Sequence, residues 1–65
     1  MNAASGGQPA RGVVVDRLTE SHPDRIIMGR TILYLPVGAA CDFPVGTLLA
    51  VVYTERDGWR CVDSV

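Results

Sequence analysis

Leu48-Leu49-Ala50-Val51-Val52-Tyr53, followed by Glu55-Arg56-Asp57-Gly58 and then Trp59-Arg60-Cys61-Val62, decides how this chain folds. A short unbroken apolar run, rich in β-branched residues and halted by a Gly-containing turn, predicts a strand buried on both faces. Alternation along that strand sends Leu48, Ala50 and Val52 one way and Leu49, Val51 and Tyr53 the other. One set lines the core of a small β-barrel. The other needs a cover, and a chain of 65 residues has little left to supply one.

Outward from this run, Thr47–Thr54 is the fourth of five predicted strands and Trp59–Ser64 the fifth. The first is Val13-Val14-Val15 with Leu18, because β-branched residues fit a pleated surface and lose χ1 freedom in a helix. Residues 20–24 form a turn around Pro23, which fixes its own φ and pushes His22 toward extended geometry. Arg25–Met28 and Thr31–Leu35 are the second and third strands. The link between them is Gly29-Arg30, and a two-residue link with Gly first suits a type II′ turn, which needs φ > 0 there. Residues 37–46 are a connector, with room for one helical turn at Ala39-Ala40-Cys41 and with Phe43 plugging a barrel end. Pro23, Pro36 and Pro44 with Gly29, Gly38, Gly46 and Gly58 leave no helix-length window after residue 12. Residues 1–10, small and Gly-rich, read as a mobile tail. The expected architecture is all-β: a single five-stranded small barrel over residues 11–65, OB-like before SH3-like.

A chain this short buries only about 60% of its unfolded surface, so small folds lean on cross-links, metals or partners. Mean hydropathy is +0.20, which excludes wholesale disorder. Six basic residues stand against seven acidic ones, for a net charge of −1. All six are Arg; a GC-rich coding bias explains that without function. Most sit near acids, as in Asp16-Arg17, Asp24-Arg25 and Glu55-Arg56-Asp57, which dilutes any basic field. Cys41 and Cys61 lie twenty residues apart in no metal-binding pattern, and His22 cannot complete a zinc site with them. They read as reduced, small apolar fillers. With no basic-then-apolar leader and no run of about 18 apolar residues, the expectation is a cytoplasmic protein without a membrane span.

Four pieces carry a resemblance. They are Gly12-Val13-Val14-Val15, Ile26-Ile27-Met28-Gly29-Arg30-Thr31-Ile32-Leu33, Val45-Gly46-Thr47-Leu48-Leu49-Ala50-Val51, and Asp57-Gly58-Trp59. Together they resemble small bacterial OB-like domains of mostly unknown function. The chain departs from that pattern in lacking solvent-facing alternation along 48–53. The resemblance implies a fold and no activity.

No catalytic chemistry is legible. Cys41-Asp42 and His22 are the only candidates for a nucleophile and base, two predicted strands apart and without a nucleophile elbow. No phosphate loop, dinucleotide fingerprint or EF-hand is present, so no cofactor or metal is expected. The chain is therefore expected not to be an enzyme. Two binding functions remain. The first is protein–protein contact, as a homo-oligomer or as an accessory or inhibitor subunit, through a patch on strands three and four. Its expected interface residues are Tyr34, Leu49, Val51, Tyr53 and Trp59, since aromatics dominate hot spots. The second is single-stranded nucleic-acid binding, with Tyr34, Tyr53 and Trp59 as stacking platforms and Arg30 and Arg60 as phosphate contacts. An acidic pI of about 5.6 puts the nucleic-acid reading second.

Overall fold

A computed structural model describes residues 10–65 of the chain. Its five strands are β1 (Ala10–Ser21), β2 (Arg25–Met28), β3 (Thr31–Tyr34), β4 (Leu48–Arg56) and β5 (Trp59–Ser64). They close into a barrel in the order β1-β2-β3-β5-β4. β1 pairs antiparallel with both β2 and β4, and β3 meets β5 in parallel at Tyr34 and Cys61. This is the OB-like of the two expected arrangements, a Greek-key barrel. The tail expected over residues 1–10 lies outside the described residues except for Ala10, which already belongs to β1.

β1 is far longer than its apolar core because one strand serves two neighbours. Ala10 through Arg17 pair with β4, and Leu18 through Ser21 pair with β2. The changeover is a bulge, with Thr19 as the extra residue between Leu18 and Glu20. Such a bulge bends the strand and lets a small barrel turn its corner. The Thr19 hydroxyl donates to the Ile27 carbonyl at 2.9 Å across the irregular step.

Both hairpins follow their turn residues. Gly29 has φ +64° and Arg30 is not left-handed, the pattern of the type II′ turn expected there. Beyond Arg56 the chain turns on two residues alone, Asp57 (φ 52°) and Gly58 (φ 84°). Two left-handed central residues make a type I′ turn, whose twist matches that of the strands it joins. β4 therefore runs two residues past its expected end at Thr54.

The core is Leu18, Ile26, Met28, Leu33, Leu49, Val51 and Val62. Val14, Leu35, Cys41 and Tyr53 pack against it while only partly buried. Residues 37–46 contain no helical turn. Phe43 does not plug a barrel end: it is 45% exposed, because Cys41 and Leu35 already take the places against the core. Cys41 and Cys61 are both free and half-buried.

Candidate interaction surfaces

The core claims one face of β4 and leaves the other. Leu49 and Val51 point inward, at 5% and 0% exposed. They cannot touch a partner, which corrects the interface expected from them. The physical reason lies in the company each face keeps. Leu49, Val51 and Tyr53 are all bulky, whereas the alternate set of Leu48, Ala50 and Val52 contains small Ala50. Bulk goes to the core, because close packing there removes the most apolar area from water.

The outward face of β4 is completed by β1, not by β3. Val52 lies opposite Val13, Ala50 opposite Val15, and Leu48 opposite Arg17. The patch expected on strands three and four does not form, because β5 on one side and β1 with β2 on the other stand between them. Val13 and Val15 are each 64% exposed and Leu48 is 59% exposed. The connector does not cover them. Thr54 shares this outward face, but its hydroxyl donates to Asp63 Oδ2 at 2.5 Å and it is buried. Asp63 is the extra residue of a bulge in β5, opposite the step from Val52 to Tyr53, and this aims its carboxylate across β4.

Tyr53 belongs to the barrel rather than to a surface. Its ring lies over Gly12, its cross-strand partner. A Cβ on Gly12 would sit 2.5 Å from the Tyr53 hydroxyl oxygen, so this close approach requires glycine. An aromatic ring draped over a facing glycine restores the packing that the glycine lacks. The Arg60 guanidinium sits 5.7 Å from the Tyr53 ring centroid, and its Nε is 3.6 Å from Glu55 Oε1. Arg60 is thus engaged with its own barrel end.

A second surface lies where β3 and β5 meet. Tyr34 and Trp59 stand edge to face, with ring centroids 4.7 Å apart and planes at 63°. Arg30, Ile32, Tyr34, Gly58, Trp59 and Arg60 line a shallow concavity of about 330 Å³ here. The structure therefore gathers four of the expected residues, Arg30, Tyr34, Trp59 and Arg60, and leaves Tyr53 out. Trp59, 55% exposed, rests on the outer wall.

Charge on the barrel is compensated at three of its arginines, Arg11, Arg25 and Arg60. Arg25 pairs with Asp24 at 2.8 Å, Arg11 reaches Asp63 at 4.0 Å, and Arg17 donates to the Gly46 carbonyl at 3.0 Å. Among the described residues, Arg17, Arg30 and Arg56 enter no ion pair. His22 Nε2 is 2.9 Å from Glu20 Oε1 at the β1–β2 turn. No group of three or more His, Cys, Asp or Glu that could hold a metal occurs among the described residues. Among the described residues no helix is long and apolar enough to cross a membrane.

Sequence reasoning missed Val13, Val15, Leu48, Ala50 and Val52 as the outward apolar face. The available signal was the small Ala50 in the Leu48 set, against the uniformly bulky Leu49, Val51 and Tyr53. Comparison with protein-family models, curated proteins and solved structures finds no significant match. Fold and surfaces are then what define the class of this protein: a small OB-like barrel whose outer wall carries one apolar strand face and one aromatic, arginine-lined concavity.

Proposed function

We propose that this chain is a non-enzymatic binding module, cytoplasmic, acting through protein–protein contacts made by the outer face of β1 and β4. The observation that carries the reading is the exposure of Val13, Val15 and Leu48 on one continuous strand pair. Monomeric proteins seldom leave a contiguous apolar patch beyond a few hundred Å² open to water. Four of the six arginines, spread around the barrel, are met by an acid or a carbonyl, which favours a protein partner over a polyanion. A reducing compartment fits two free thiols, one of which, Cys41, packs against the core as a small apolar group. The test is a photo-crosslinking residue placed at Val15, with the same residue at Asp57 as control. The reading expects protein adducts in cells from position 15 and not from position 57. Equal yields from both positions would defeat it.

A second reading, single-stranded nucleic-acid binding, is favoured by the gathering of Tyr34, Trp59 and Arg30 at one concavity. Aromatic faces beside a guanidinium suit bases and a phosphate. Titration with mixed-sequence oligonucleotides, read by the fluorescence of Trp59, tests it. Saturable binding that weakens steeply with salt supports it, and a flat titration at low salt ends it.

A further inference from the structure

We infer that the concavity between β3 and β5 docks an extended peptide, added to the edge of β3 at Ile32, in which an apolar residue is followed two positions later by an acid. This contact stands apart from the β1–β4 face, so either can fail alone. Hairpin geometry points the main chain into the concavity. Across a two-residue turn the flanking residues exchange both hydrogen bonds, and the next pair exchanges none. Met28 and Thr31 flank Gly29-Arg30, so Ile32, opposite Ile27, turns its N–H and C=O away from β2. Arg56 and Trp59 flank Asp57-Gly58, so Arg60, opposite Glu55, turns its own away from β4. Both sets of groups face the seam between β3 and β5.

Among the described residues that seam closes at one pair, Tyr34 and Cys61. A parallel pair of this parity bonds Tyr34 to the residues on either side of Cys61, Arg60 and Val62. Towards the end of β3 the ladder stops at Pro36, which has no N–H to give. In the other direction the next bond would run from the Arg60 N–H to the Ile32 carbonyl and set Leu33 level with Arg60, and Leu33 is not paired with Arg60. The strands part there, and the concavity of about 330 Å³ lies between Ile32 and Arg60.

The main-chain groups select the chemistry of the occupant. The Ile32 carbonyl needs a donor. A peptide residue opposite it supplies an N–H and accepts the Ile32 N–H in return, the exchange by which a strand adds to a sheet edge. A phosphodiester backbone has no donor to give, so the seam favours a peptide over an oligonucleotide. With one edge residue free, antiparallel pairing fits, because it places both bonds on a single pair. The side chain of that peptide residue stands between Ile32, 44% exposed, and Trp59, where an apolar group leaves water. Two positions further on, the peptide presents a side chain on the same face beside Arg30. Among the described residues no acid lines the concavity and Arg30 enters no ion pair, so a carboxylate complements it. The peptide leaves past Arg30, since Tyr34 and Cys61 close the other end.

The probe is acetyl-Leu-Ser-Glu-Ser-amide, titrated into the isotope-labelled full chain and followed by nuclear magnetic resonance. Saturable shifts of the Ile32 and Arg60 amides and of the Trp59 indole are expected, with a dissociation constant on the order of 0.1–1 mM, because one bonded pair, one apolar side chain and one exposed ion pair hold the probe. N-methylation of the probe's Leu removes the donor to Ile32 and should weaken binding about 5-fold or more. Gln in place of the probe's Glu and Arg30→Gln in the protein should each weaken it about 2- to 5-fold, and together no more than either alone. No shift at about ten times the expected dissociation constant overturns the inference. An N-methylated probe that binds as tightly as its parent refutes strand addition. An oligothymidylate that moves these signals where the peptide does not gives the concavity to nucleic acid instead.

Discussion

Two neighbouring leucines with the same chemistry should behave as if they came from different proteins. Leu49→Ala removes a side chain that is 5% exposed and packed in the core, and Leu48→Ala removes one that is 59% exposed. Truncating a buried Leu loses its transfer free energy and leaves a cavity, about 2–5 kcal/mol together. A substitution on the open surface stays within about 0.5 kcal/mol. A domain of this length has a total stability of about 3–10 kcal/mol, so Leu49→Ala removes a large share of it. At about 4–8 °C per kcal/mol, Leu49→Ala should lower Tm by about 8 °C or more and Leu48→Ala by less than about 4 °C. Urea denaturation followed by circular dichroism, at dilute protein where the outer face is unoccupied, gives the free energies directly. Equal losses, or a larger loss at Leu48, would mean that β4 is registered one residue out. A slip of one residue turns every side chain of a strand to the opposite face.

Three further outcomes follow from local geometry. Gly29→Val forces a β-branched residue to φ +64° with its Cβ 2.6 Å from Asp16 Oδ2, and should cost about 1–2 kcal/mol in thermal unfolding; an unchanged Tm would count against the turn. Gly12→Ala should displace the Tyr53 ring, cost about 1–3 kcal/mol and alter the near-ultraviolet circular dichroism; a variant with parental stability and spectrum would show that the ring does not lie over Gly12. Thr54→Val keeps the shape but deletes the hydroxyl that donates to Asp63, and should cost about 1 kcal/mol in denaturant; a gain in stability would mean the bond contributes nothing.

The sequence carried the barrel because its punctuation is strong. Gly29 and Asp57-Gly58 specify two-residue turns that can join only antiparallel neighbours, and β2 runs over the expected residues, Arg25 to Met28. What it did not carry was the choice of face. Both faces of β4 are apolar, and the pattern of hydrophobic residues alone cannot say which one turns inward. That choice is made by bulk and by the glycine opposite Tyr53, which admits the ring between β1 and β4. The partner of the outward face was equally hidden. Strand order in a Greek key is set by pairings far apart in sequence, and Val13 meets Val52 across 39 positions. The aromatic concavity was better marked, because Trp59 follows directly on a turn and Tyr34 closes β3. Tyr53 was misassigned to that group since its neighbours in sequence say nothing about the space above Gly12.

Central to this account is a β1–β4 face that the monomer leaves open. Methyl signals of the dilute protein, recorded with a soluble paramagnetic agent, measure that directly. Val13, Val15 and Leu48 should broaden strongly while Leu49 and Val51 stay sharp. If Val13 and Val15 prove as protected as Leu49, the chain covers its own face, and there is no surface to offer a partner.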